Sequence, residues 1–200
     1  MTEARTAATP AAAPARREAD EYTRYELLAP ETASFHILYE VTATTPGATA
    51  FFNPIRKGSE ASGEAVLDQA TEKKLRFTVV SGGEARAGGL PEADLDTSYI
   101  RVELPRPVPA PPREGGVRLL IEKTYKDAKS YFRKGEDRIV FSRSLGIRRN
   151  SVVLPAGYEV VGCNFPAQIF AAPGGRLAAS FLHVGPEAVR FVLEARRLPQ

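Results

Sequence analysis

Ser34–Ala43 reads SFHILYEVTA. In an extended chain Phe35, Ile37, Tyr39 and Val41 fall on one side, and His36, Glu40 and Thr42 on the other. That two-residue period is the mark of a strand with one buried face, and the Thr-Pro-Gly that follows ends it. The same period recurs on either side. SYIRVEL sets Ile100, Val102 and Leu104 against Tyr99, Arg101 and Glu103, and VRLLIEKTY turns Val117, Leu119 and Ile121 inward. VRFVLEARRL sets Val189, Phe191 and Leu193 against Arg190, Val192 and Glu194. LRFTVV, RIVF, SVVLP, YEVVGC, QIFA and RLAASFLHV are further short strands, and AFFNPI is another whose Pro54 suits a sheet edge or a strand end.

Turn chemistry separates these pieces: PAG, APGG and VGP are tight turns, and SGGEARAGGLPEADLD reads as a loop by its four glycines. PRPVPAPPREGG can hold neither a helix nor a central strand, because proline removes a backbone donor and fixes φ. Only GEAVLDQATEKKL offers a helical alternative, and it reads equally as strand, turn, strand. Many short strands spaced by Gly/Pro turns predict an all-β chain, an antiparallel β-sandwich of the Ig-like or a related double-sheet kind.

Two hundred residues suit one domain with a tail, and a chain of this length buries about 70% of its unfolded surface. Residues 1–21 alternate Ala and Pro with charges and hold too little apolar surface to offset ordering entropy, so they read as a disordered tail before a single sandwich over 22–200. The tail has no apolar core of a secretory signal as it stands; a spacer and the remnant of an export signal both fit it, which leaves export and cytosol equally open. No run of about 20 apolar residues is present to span a bilayer. The lone Cys163 forms no internal disulfide.

The chain carries +3 overall, but Lys123–Arg149 holds nine cations against Asp127, Glu136 and Asp137, a local +6. Within it Lys126, Lys129, Arg133 and Lys134 interleave with Tyr125, Tyr131 and Phe132. Cations that hold phosphates beside rings that stack bases or sugars describe an anion- or nucleic-acid-binding patch, with Lys126, Lys129, Tyr131, Arg133, Lys134, Arg148 and Arg149 as its residues. The competing expectation is an inter-strand loop whose rings anchor inward while the lysines stay wet. Arg148 and Arg149 are placed to pair with Glu159 across a hairpin formed by SVVLP and YEVVGC.

Chemistry-bearing motifs are scarce. His36 and His183 are the only histidines, with no HExxH and no cysteine pair, so no metal or other cofactor is expected. GGEARAGG lacks the GK[ST] of a phosphate loop. Cys163 and His183 are the one conceivable nucleophile and base, a hydrolase site that only folding would assemble. The alternative is a buried cysteine and a partly exposed, hydrogen-bonded histidine at a strand end. Asp94 and Asp96 read as a solvated acidic turn rather than a calcium loop.

FHILYEVTA as an early strand, YIRVELPRPVP and GGVRLLIEKTY as a strand pair around a proline-rich bend, and NSVVLPAGYEVVGCNFP as a late hairpin together resemble the N-terminal β-sandwich of the M1-type zinc aminopeptidases and related accessory domains. Leu154–Asn164 is similar to the proline–x–glycine–aromatic segment that follows the middle strands there. The family's metal motif and exopeptidase signature have no counterpart in this sequence, so no catalytic residue carries over. The resemblance implies the sandwich without the enzyme: a non-catalytic module, in the envelope or outside the cell, that binds or assembles with an unknown protein or anionic ligand.

Overall fold

The structure, a computed structural model, describes residues 21–58, 60–110, 115–185 and 187–199. The tail expected over 1–21 lies outside these residues save for Glu21, as does the end of the proline-rich bend.

The chain is all-β. An eight-stranded sheet runs in the order β13 (Gln168–Ala172), β14 (Arg176–Leu182), β11 (Arg149–Val153), β1 (Tyr22–Leu27), β2 (Ser34–Ala43), β8 (Val117–Lys126), β4 (Glu60–Asp68) and β5 (Lys73–Lys74). A four-stranded sheet, β12 (Tyr158–Cys163), β15 (Val189–Arg197), β10 (Arg138–Leu145) and β9 (Tyr131–Lys134), packs against it. A third sheet of three strands, β3 (Ala50–Pro54), β7 (Ser98–Glu103) and β6 (Phe77–Ser81), adds Ile100 and Val102 to the same core. Pairing is antiparallel except between β1 and β11.

Alternation places the core as the sequence requires. β2 buries Phe35, Ile37, Tyr39, Val41 and Ala43 and leaves every intervening residue half-exposed. Across the sandwich Tyr25 and Phe35 meet Phe141 at ring-centroid distances of 5.3 and 5.5 Å, and Phe181 stacks on Phe191 at 4.3 Å. Such offset and edge-on pairs add about 0.5–1.5 kcal/mol each beyond area burial.

Three local expectations are corrected and one open alternative is resolved. Gly82–Ala87 within the glycine-rich segment is a short helix, α1, because Ser81 accepts from the Glu84 amide and Glu84 returns a bond to the Ser81 amide. Tyr131–Lys134 is a strand hairpinned to β10 through Gly135 at φ +74°, a conformation that favours glycine. GEAVLDQATEKKL resolves as strand, turn, strand. SVVLP and YEVVGC are not a hairpin: β11 and β12 pass from one sheet to the other, and β7 and β8 are likewise in different sheets. Of the proline-rich bend, Val108 is buried and exchanges backbone hydrogen bonds with Gly47 and Ala48, which pins that part to the sandwich.

Candidate functional site

The basic stretch does not form one surface. Lys123 and Arg143 occupy inward positions of β8 and β10 and are 5% and 6% exposed. Lys134 and Arg138 both close on Glu194, at 3.0 and 2.6 Å, across the outer face of the four-stranded sheet. Arg133 donates to the Glu136 carbonyl at 2.7 Å, and Arg149 donates through Nε to the Glu21 carbonyl at 3.2 Å. Arg148 is half-buried, and Glu159 pairs with Arg196, not with either arginine across a hairpin. Tyr131 is wholly buried and its hydroxyl donates to the Leu28 carbonyl, so its ring is part of the core. Lys126, Lys129, Phe132 and Arg133 are exposed in and just after the β8–β9 turn.

The two inward cations build a polar centre. Arg143 lies 5.2, 5.3 and 5.9 Å from the ring centroids of Phe35, Tyr125 and Tyr25, with its charge met by Asp127 at 3.2 Å. Asp127 also accepts from the backbone amides of Lys129 and Ser130 and from the Ser130 hydroxyl at 2.6 Å. Burial pushes its carboxyl up, but the bonds from Ser130 and the charge of Arg143 outweigh that and hold it below the usual carboxylate range. Lys123 donates to the side-chain oxygen of Asn53 at 2.6 Å, a neutral partner. Burial, reinforced by the Arg143 charge, lowers its ammonium pKa to about 8. Every group here has a structural partner, and the arrangement fixes the β8–β9 turn rather than presenting reactive atoms to solvent.

Cys163 and His183 are not brought into partnership. Cys163 is exposed, not buried as expected, with its thiol donating to the Phe165 carbonyl. His183 is buried, not partly exposed, and its Nε2 lies 3.0 Å from the Ile147 carbonyl, which makes Nε2 the protonated nitrogen. Asn150 donates to the same carbonyl, so Ile147 anchors both side chains. Asp94 accepts from the Asp96 amide and the Thr97 hydroxyl, and Lys57 sits over both carboxylates at 3.4 and 3.9 Å. Among the described residues no cluster of three His, Cys, Asp or Glu groups is placed to hold a metal, and no helix is long and apolar enough to cross a membrane.

One rim stands apart from the rest. From Val160 to Gly175 the chain carries no charged residue. This segment supplies part of β12 and all of β13, two edge strands. Ile169 and Phe170 are 46% and 48% exposed, and Val161 and Leu182 also reach solvent. Beside them opens a groove of about 540 Å3 lined by Tyr22, Arg149, Gln168, Ser180, Phe181 and Leu182. The sequence already held this signal, as a gap in charge rather than a cluster of it.

No family model and no curated protein matches the chain. Among solved structures its fold is similar to an M1 zinc metallopeptidase from Deinococcus radiodurans, with a TM-score of 0.52 and 11% identity over 88% of this chain and 41% of that one. A mutant of an M1 zinc metallopeptidase from the same organism, bound to a Tyr-Ser-Ala substrate, aligns with a TM-score of 0.51 and 10% identity over the same shares. The chain therefore spans less than half the length of the proteins it resembles. At this identity the likeness is one of fold, and at that level the M1 resemblance read from the sequence holds.

Proposed function

We propose that this chain is a non-catalytic β-sandwich that works by binding or assembly, with the uncharged β12–β13 rim as its contact surface. The observation that carries the reading is the exposure of Ile169 and Phe170, on a stretch of chain free of charge, with exposed Leu182 of β14 at a neighbouring groove. Contiguous exposed apolar surface is costly to keep in water and marks contact sites. The fate of the polar groups supports it too. Lys123, Asp127, Arg143 and His183 are absorbed into the interior, where each holds a turn or a strand. A fold that elsewhere forms part of a larger zinc metallopeptidase suits a module that is held against another protein. Photo-crosslinking from position 170 in the native host tests this, with exposed position 79 on β6 as the comparison. Adducts from 170 and none from 79 are the expected outcome; no adduct from 170 removes the reading.

A second reading, anion binding, rests on Lys126, Lys129, Phe132 and Arg133 standing exposed within one short segment. Reversing charge at Lys129, Arg133 and Lys134 would then abolish a salt-sensitive interaction with a polyanion, because released counterions drive such binding. Retention of a single-stranded oligonucleotide by the reversed variant at low salt, equal to that of the unaltered chain, ends this reading.

A further inference from the structure

We propose that Lys123 is a site of reversible carbamate formation, at which the side-chain amine takes up CO2. An amine attacks CO2 only through an unprotonated lone pair, so a reactive lysine is one whose surroundings disfavour its ammonium. The interior around Lys123 does this by its construction. Nζ donates to the side-chain oxygen of Asn53 at 2.6 Å, a neutral partner, and lies 5.1 Å from the centroid of the Tyr125 ring. No carboxylate of the described residues pairs with it, since Asp127 closes on Arg143 instead. Lys123 is 5% exposed, whereas the other six lysines all stand in water.

The neighbouring strand is opened at the same place. β4 pairs with β8 from Glu60 opposite Lys126 to Ser62 opposite Thr124, and resumes with Ala65 opposite Glu122. Gly63 and Glu64 therefore stand together against Lys123. A bulge of this kind breaks the ladder and re-aims side chains, and such breaks gather beside reactive sites. Gly63, exposed and at φ +63°, is open on its side-chain side, with no atom within 4 Å of where a Cβ would lie. CO2 is small and uncharged, so it enters by this break without the desolvation cost that keeps an ion out. The field at the amine then favours the product. Arg143 repels a positive charge on Nζ more than Glu64 attracts one, and what opposes an ammonium stabilises an anion at the same atom. The Nζ lone pair adds to the carbon of CO2, one C–O π pair moves onto oxygen, and a proton leaves Nζ for a buffer base. The carbamate nitrogen keeps one N–H for Asn53, and the buried charge changes from positive to negative.

Carbon-13 NMR of the full chain in labelled bicarbonate tests this. At about pH 8 half of the Lys123 amines are unprotonated, against roughly one in three hundred for a lysine that titrates at 10.5. A carbamate resonance is expected beside that of the N-terminal amine, which titrates in the same range and serves as the internal reference. Lys123→Met should remove the first and leave the second. Asn53→Asp keeps the lysine but gives it a counter-charge, so it too should remove the Lys123 resonance. An unchanged circular dichroism spectrum shows that each variant is folded. In the unaltered chain the unfolding midpoint should also rise with dissolved CO2 at fixed pH and ionic strength, because a group taken up by the folded state alone stabilises it. A spectrum of the unaltered chain with the N-terminal resonance alone overturns the inference. So does a second resonance that persists in either variant, or a midpoint indifferent to CO2.

Discussion

Lys123 is the residue whose surroundings ask the most of it. Its ammonium is buried against a neutral amide while Asp127 is already paired with Arg143, so the Glu64 carboxylate offsets only a small part of the cost of its charge. Its pKa falls from 10.5 in the unfolded chain to about 8 in the folded one. Between those values the unfolded chain binds more protons, so stability rises with pH across that window and is lowest below it. At 1.36 kcal/mol per unit the rise is about 3 kcal/mol. Lys123→Met should flatten it, as read from denaturant unfolding at successive pH values; a slope surviving in the methionine variant would show that another group carries it. Arg143 and Asp127 form the complementary case. Asp127→Asn alone should cost about 3–5 kcal/mol by leaving a buried guanidinium uncompensated. Adding Arg143→Met should recover a large part of that loss, and strictly additive penalties would disprove the coupling. Both inward positions were legible in the alternation, since Lys123 stands between Ile121 and Tyr125, and Arg143 between Phe141 and Leu145. Counted by charge, they looked like surface. Counted by period, they were interior, and the strand period decides because a side chain cannot leave its face without shifting the whole register.

At the level of elements, the strands that alternate over eight or more residues, β2, β8 and β15, were plain in the sequence, because each repeats its inside–outside choice often enough to be read alone. Short or interrupted pieces were not. β9 is four residues with only Tyr131 buried, and its existence depends on the partner it gains in β10. The passage of β11 and β12 between sheets is likewise set by what each strand meets in space, and Leu154–Gly157 looks like a hairpin turn until the partners are known. α1 did carry a local signal, the Ser-x-x-Glu box at Ser81–Glu84, hidden among glycines that suggest a loop. Two changes test that element. Ser81→Ala should cost about 1 kcal/mol by orphaning the Glu84 amide. Gly82→Ala should cost more, because a Cβ there would meet the Asp94 carbonyl and stand 2.7 Å from the Leu95 Cα, both backbone atoms that cannot swing aside. Thermal melts of the two variants check the order; an alanine at 82 as well tolerated as one at 81 would mean that the 94–97 loop yields freely.

For the molecule as a whole, the sheets were legible and the contact surface proposed here was not, since a surface of this kind is defined by charge that is missing. The eye goes to the nine cations of Lys123–Arg149, yet the fold spends several of them internally or on Glu194, while the neutral Val160–Gly175 lies at the rim. The same packing that draws polar groups inward governs the alkaline limit of the fold. Burial raises the phenol pKa of Tyr25, Tyr39, Tyr125 and Tyr131 above 10.0, and in Tyr39 the Glu21 carboxylate that accepts its proton at 2.8 Å adds to the effect. For an acid raised in this way, the stabilising preference is complete below the unfolded value of 10.0 and fades as pH climbs past it. Lys123 acts in the opposite sense just below that point, so the two effects together place a stability maximum between about pH 8 and pH 10.5. Above it, four of the seven tyrosines should develop phenolate absorbance only as the sandwich opens. An ultraviolet titration followed alongside circular dichroism checks this: the absorbance of those four should rise in step with loss of the strand signal. If all seven ionise while that signal is intact, the aromatic layer between the sheets is open to solvent, and the packing described for Tyr25 and Tyr125 around Arg143 fails with it.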